Sequence, residues 1–390
     1  MLRGRADLLH AATAGVVTSL VGFTGAFAIV LAGLRAVGAT PAQAGSGLLT
    51  VTVLMGLCSL LLSVWQRLPI VVAWSTPGAA LLVATGPSHG GWSAAVGAFV
   101  ICGLLLALVG VWTRLGRLIA LIPVQVASAM LAGVLFHLCL TPVVGLPDAP
   151  LFVGPVILVW LAAYRFARRW AAPLAMAVAF GLSYTSHAVR SVGPGDFAPH
   201  LVWTTPTWSA AALVSIALPL FAVTMASQNI PGVAVLASFG YRAPVRPVLL
   251  MTGALTVAGA GYGVHALNFA AISAALSAGP EAGPDPAKRW RAAAVSGAVN
   301  LVLGLMSAGL VAIVLGAPHG VVLAAAGLAL VPTFALSLRS AFGADEHGTT
   351  RVEAAAATFL VAASGLTVVG IGAAFWGLLA GIMLSLLLRS

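Results

Sequence analysis

Apolar residues run in blocks of about twenty along nearly the whole chain, separated by short stretches of Pro, Gly and isolated charge. A helix rising about 1.5 Å per residue needs about that length to cross the ~30 Å hydrocarbon layer of a bilayer. Cutting the chain at its Pro, Gly and charge clusters predicts fourteen segments. They fall at 10–34, 44–65, 69–86, 92–112, 119–140, 150–167 and 171–189, then at 208–238, 247–260, 262–279, 291–315, 319–338, 352–368 and 370–388. The pattern predicts an all-α polytopic membrane protein.

Basic residues test the count independently of hydropathy. With the N-terminus placed in the cytoplasm, sixteen of the eighteen basic residues fall on the inside, leaving only Arg35 and Arg190 outside. One span more or fewer in mid-chain scrambles that split. Both termini are therefore expected in the cytoplasm, with the protein in the inner (cytoplasmic) membrane. Arg3 and Arg5 precede an apolar run that continues to Leu34, too long for a signal sequence, so it is read as the first span. Fourteen spans divide as seven and seven, joined by the loop at 190–207, and an odd number per half inverts the second half on the first. Inverted repeats of this kind are typical of secondary transporters.

Two segments break the pattern. The third, "PIVVAWSTPGAALLVATG" (69–86), begins extended, is interrupted at "STPG" and ends as a short helix, with Ser75 or Thr76 as its cap and Pro77 in its first turn. The tenth reads "GAGYGVH" (259–265) followed by "ALNFAAISAALSAG" (266–279), taken as a second half helix. Broken spans are tolerated at membrane depth only where they line a cavity or lie inside protein. Each half helix directs its free N–H groups and positive dipole end inward, which favours an anion. His265 and Asn268 then face substrate rather than lipid. The plainer alternative is a pair of Gly-rich packing helices.

A further polar cluster, Ser227, Gln228 and Asn229, stands just before Pro231 and Gly232 in the eighth segment. The first segment offers Thr18, Phe23, Thr24 and Phe27 as its counterpart. The substrate-binding candidates are thus Phe23, Thr24, Ser75, Thr76, Gln228, Asn229, His265 and Asn268, with Phe27 and Trp74 as further rings for stacking. Asn300 and His137 are read as structural, Asn300 through a bond between helices.

Composition narrows the function. Hydrophobic residues make up 61% of the chain and charged residues 7%, with mean hydropathy +1.09. The net charge of +10 is spread singly between apolar runs, with no basic stripe interleaved with aromatics, so nucleic acid is excluded as a partner. Cys58, Cys102 and Cys139 all lie within segments and are expected as packed free thiols. There is no GxSxG, no HExxH and no pair of carboxylates within the spans, so neither an enzyme, a metal nor a cofactor is expected.

Three stretches, "SQNIPGVAVL" (227–236), "GYGVHALNFAAISAAL" and "GPEAGPDPAKRW" (279–290), resemble the benzoate/proton symporter (BenE) family along the whole chain. Through it the chain is similar to the wider fold of uracil/nucleobase permeases and sulfate-type anion carriers. The resemblance implies seven-plus-seven inverted spans, a core domain (1–118 and 201–316), a gate domain (119–200 and 317–390) and homodimers. Nucleobase permeases carry carboxylates in the eighth and tenth spans; the matching positions here are Gln228 and the Val264–His265 region, and all eight acids lie in loops or at span ends. Such a site suits an aromatic carboxylate better than a neutral base.

Import of an anion into a negative-inside cell costs about 2.3 kcal/mol per charge per 100 mV, which a co-transported proton cancels. His265 is the candidate proton carrier, against the alternative of a neutral histidine that only hydrogen-bonds. The expected function is proton-coupled import of benzoate or a related aromatic carboxylate. An uncoupled anion carrier or channel, or a nucleobase permease, stands as the alternative.

Overall fold

The computed structural model describes residues 2–87, 90–112, 123–184, 198–271, 273–318, 320–343, 351–368 and 371–388. Arg114, Arg117, Arg190, Arg389, His187 and much of the joint at 190–207 lie outside the described residues.

The protein is a mostly helical polytopic membrane protein. Among the described residues, six helices are long and apolar enough to cross a membrane: Leu9–Ala36, Pro41–Gln66, Gly91–Val111, Val124–Asp148, Ala210–Ser238 and Val321–Phe342. The first of these is interrupted at 25–26, giving α1 (Leu2–Thr24) and α2 (Phe27–Ala36). Next come α3 (Pro41–Gln66), β1 (Val72–Trp74), α4 (Thr76–Thr85), α5 (Gly91–Val111), α6 (Val124–Asp148), α7 (Pro150–Phe166) and α8 (Ala171–Ser183). After the joint follow α9 (Ala210–Ser238), α10 (Val245–Ala260), β2 (Leu267–Phe269) and α11 (Ala274–Ala278). The chain continues with α12 (Trp290–Leu305), α13 (Ser307–Gly316), α14 (Val321–Phe342), α15 (Val352–Ala363), a hairpin of β3 (Thr367–Val368) and β4 (Ile371–Gly372), and α16 (Ala373–Leu387).

Local chemistry explains several boundaries. Thr40 and Gln43 form a reciprocal capping box at the start of α3, with Pro41 in the first turn. Within α9, the stretches Leu213–Ala217 and Met225–Asn229 widen to π-helical turns, each just ahead of a proline, Pro219 and Pro231. Proline has no N–H to return to the preceding turn, and a local π register absorbs that defect.

Three expectations need correction. The half helix predicted over 266–279 is instead the strand β2 followed by the five-residue α11. The segment predicted over 352–368 is helical only to Ala363, because the β3–β4 hairpin follows. The segment predicted over 291–315 bends by 56° between Leu305 and Ser307. In the first two cases a strand of two or three residues forms through partners outside the helix, which no helical periodicity announces.

β2 exists because β1 is beside it. The two strands pair antiparallel with Val72 opposite Phe269, Ala73 opposite Asn268 and Trp74 opposite Leu267. Ser75 N–H donates to Ala266 O and Ala270 N–H to Val71 O, extending the ladder at both ends. A two-stranded sheet within a membrane leaves two raw edges, and here neighbouring helices close them. On the β1 edge, Val72 N–H donates to Ser59 Oγ at 2.9 Å and Ser63 Oγ donates to Ile70 O at 2.8 Å. On the β2 edge, Leu267 N–H donates to Thr256 Oγ1 and Phe269 N–H to Asn229 Oδ1, both at 3.0 Å. Short polar side chains of α3, α9 and α10 thus replace the strands a soluble sheet would add.

Candidate functional site: a cavity beside the paired strands

β1 and the residues just after β2, Ala270 and Ala271, line a cavity of about 170 Å³, to which α1, α3, α4, α9 and α12 also contribute. Leu135 of α6, Ala172 of α8 and Leu330 of α14 also line it. Phe23 and Trp74 supply an aromatic surface, their ring centroids 5.6 Å apart, and Phe27 stacks beneath Phe23 at 5.3 Å, 4° from parallel. Ser19, Thr76, Gln228, Ser273, Ser296, Asn300 and Thr333 supply neutral polar groups, and none of the described residues that line the space is charged.

The N-terminus of α4 lies at this cavity through Thr76 and Pro77. Ser75 Oγ accepts from Gly78 N–H at 3.1 Å and from the Thr224 hydroxyl at 2.8 Å, while Ala79 N–H is bound to Ser75 O. Pro77 has no N–H. Thr76 therefore holds the one first-turn donor that is neither missing nor taken by these partners. It stands at the positive end of a ten-residue helix.

Of the residues singled out from the sequence as candidates, Thr18, Phe23, Trp74, Thr76 and Gln228 line the cavity. The others are near it but turned to other partners. Thr24 Oγ1 donates to Leu20 O at 2.6 Å. Asn229 fastens β2 through Oδ1 and contacts Met225 Sδ through its amide nitrogen. Asn268, on β2, donates from Nδ2 to Phe269 O, and its Oδ1 is buried with no hydrogen-bond partner.

His265 is fully buried behind α4, edge-on to Phe99. Its Nε2 lies 3.1 Å from Ser75 O, and a carbonyl only accepts, so Nε2 carries the hydrogen. Nδ1 is then an open acceptor, with no hydrogen-bond partner around it. His265 thus reaches the cavity only through Ser75 and the start of α4.

Sequence reasoning missed Ser19, Ser273 and Ser296 and read Asn300 as a bond between helices. The structure puts Asn300 in the cavity wall with Oδ1 unpaired. The available signal was spacing. Ser19 and Phe23, like Ser296 and Asn300, stand four apart on one helical face. All three cysteines are free. Among the described residues, no cluster of His, Cys, Asp or Glu is placed to hold a metal.

Comparison with known proteins agrees with this architecture. The BenE family, described as benzoate membrane transport protein, matches residues 7–387. An inner membrane protein of Escherichia coli K12, YdcO, is 40% identical over 376 residues, covering 94% of this chain and 93% of its own. The benzoate membrane transport protein of Acinetobacter baylyi is 28% identical over 378 residues, covering 96% and 94%. Among solved structures, the transmembrane domain of a cyanobacterial bicarbonate transporter, BicA, superposes with a TM-score of 0.57 at 15% identity, over 98% of each chain. A murine anion transporter, Solute Carrier 26 family member A9 in its inward-facing state, gives 0.51 at 13% identity, over 98% of this chain and 67% of that one. At such identities the last two speak for the fold alone.

Proposed function

The chain belongs to the family of benzoate membrane transport proteins, as a transporter and not an enzyme, and from that premise we propose that it imports an aromatic carboxylate, benzoate or a close relative, together with a proton. The observation that carries this reading is the cavity's composition: the Phe23 and Trp74 rings on its wall, neutral polar groups around it, and no acid among the described residues that line it to repel an anion. In this reading the aromatic ring lies against Phe23 and Trp74. The carboxylate meets the α4 N-terminus at Thr76, with Gln228 as a side-chain donor.

The same reading takes the chain as fourteen segments in two inverted sets of seven, both termini cytoplasmic, working as a homodimer. Residues 1–118 and 201–316 act as core and 119–200 and 317–390 as gate. The lining supports a moving boundary there, since Phe23, Trp74 and Gln228 come from the core and Leu135, Ala172 and Leu330 from the gate. Displacement of core against gate exposes the cavity to each side in turn.

His265 carries the coupling proton in this proposal. Protonation at Nδ1 places a positive charge directly behind Ser75 and the α4 N-terminus, where it attracts the carboxylate. A bound carboxylate favours the charged imidazole in return, so proton and substrate bind with reciprocal cooperativity. The test is uptake of labelled benzoate into proteoliposomes with and without an inward proton gradient, for wild type and His265→Ala. Gradient-driven accumulation is expected in the wild type, and equilibration without accumulation in the variant. Benzoate entry no faster than in empty liposomes overturns the substrate; accumulation retained in His265→Ala overturns the role of the histidine.

A further inference from the structure

α1 and α12 run parallel beside the cavity. The backbone at Gly15 abuts Ala292 and Val295, and one turn on Ser19 Oγ is 2.8 Å from both the hydroxyl and the carbonyl oxygen of Ser296. Four residues beyond this serine bridge stand Phe23 on α1 and Asn300 on α12, both in the cavity lining. Four residues advance a helix by about 6 Å, so the parallel helices bring the Phe23 ring and the Asn300 amide to one level. Asn300 is only 4% exposed, its Cβ is backed by the α3 backbone at Gly56, and its Oδ1 has no hydrogen-bond partner.

A buried amide oxygen without a donor is costly, about 1–3 kcal/mol, and such groups in native proteins call for an explanation. Bare benzoate supplies none. With its carboxylate at Thr76 and its ring on Phe23, it turns only C–H edges toward Asn300. A hydroxyl on the ring edge supplies the missing donor. We propose that Asn300 selects aromatic carboxylates bearing a ring hydroxyl over benzoate itself, by accepting a hydrogen bond from that hydroxyl. This rests on the cavity being the aromatic-carboxylate site. It adds a second polar contact, away from the carboxylate, that sets specificity.

The experiment is competition against labelled benzoate in proteoliposomes by benzoate, the three hydroxybenzoates and the three methoxybenzoates, which keep the added oxygen but lack the donor. In the wild type at least one hydroxybenzoate is expected to compete about tenfold more strongly than both benzoate and its methoxy counterpart. Asn300→Leu is expected to abolish that preference, each hydroxybenzoate then competing no more strongly than its methoxy counterpart. Benzoate equal to or better than every hydroxybenzoate in the wild type overturns the inference, as does a hydroxyl preference that survives in Asn300→Leu. Either result leaves the aromatic-carboxylate reading intact. If neither labelled benzoate nor any competitor enters the site, that reading falls and this one with it. Should Asn300→Leu fail to fold, the wild-type series decides alone.

Discussion

The two broken segments at 69–86 and 262–279 do one job by different means. The first follows β1 with a ten-residue helix, α4, capped by Ser75 and opened by Pro77. The second follows β2 with the five-residue α11, whose preceding Ser273 makes no capping bond. What the second lacks in helix it supplies in buried polar side chains, His265 and Asn268. It is also held at its far end, where Arg289 donates from Nη1 to Ala278 O and from Nε to Gly283 O, each at 2.9 Å. One segment thus presents a dipole to the cavity, and the other a titratable group behind that dipole. A symmetric pair of half helices would bind an anion without giving a proton any place to act.

The largest effect expected from this contrast concerns two glycines, each with positive φ. Gly263 (φ 101°) lies against the α3 backbone, where an added Cβ would come within 2.8 Å of Gly47 Cα. Gly86 (φ 66°) ends α4 with nothing within 4 Å of such a Cβ. Gly263→Ala incurs both backbone strain and overpacking and should lose about 3 kcal/mol of stability. Gly86→Ala incurs strain alone and should lose about 1–2 kcal/mol. Denaturant unfolding of the purified protein in detergent measures both. Equal losses would refute the close approach of 262–279 to α3 that keeps His265 buried.

A smaller effect separates the two serines. Ser75→Ala removes the cap on Gly78 N–H and the acceptor for the Thr224 hydroxyl, and should cost about 1 kcal/mol. Ser273 caps nothing, so Ser273→Ala should stay within about 0.5 kcal/mol of wild type. A cost for Ser273→Ala as large as that for Ser75→Ala would mean that α11 begins with a cap after all.

Much of this contrast was legible beforehand. "STPG" announced a capped helix start because the cap, the proline and the glycine act within four residues. The polar run Ser227–Asn229 before Pro231 pointed to a cavity, again a local signal, and Gln228 of that run lines it. The strand at Leu267–Phe269 was not legible. Its partners, Val72 to Trp74, Thr256 and Asn229, are dispersed along the chain, and three residues carry no periodicity. Ser59 and Thr256, which close the strand edges, look like any hydroxyl in an apolar helix. Asn300 was misread for a related reason: a lone asparagine in a span reads as a bond between helices until its neighbours are known. The helical, membrane-spanning class followed from apolar spacing; the site depended on which distant helices meet.

The smallest effect lies where the second segment ends, in the loop that carries Arg289. Asp285 accepts from Ala287 N–H at 3.0 Å and lies 3.3 Å from Lys288 Nζ. The Ala287 N–H first, and then the Lys288 ammonium, hold its carboxyl below the usual carboxylate range. A carboxyl depressed in the folded state adds stability that is present above its unfolded value, about pH 4, and is lost as pH falls through the folded value. Asn in its place keeps an acceptor for Ala287 but loses the charge. Asp285→Asn should therefore unfold slightly below the wild-type temperature at pH 7, with the gap closing on acidification past about pH 4. No gap at any pH from 7 to 3 would assign the loop's contribution to the cap alone. Arg289 would then be left to fasten α11 without help from its acidic neighbour, and the anchoring that distinguishes the second broken segment from the first would rest on one side chain.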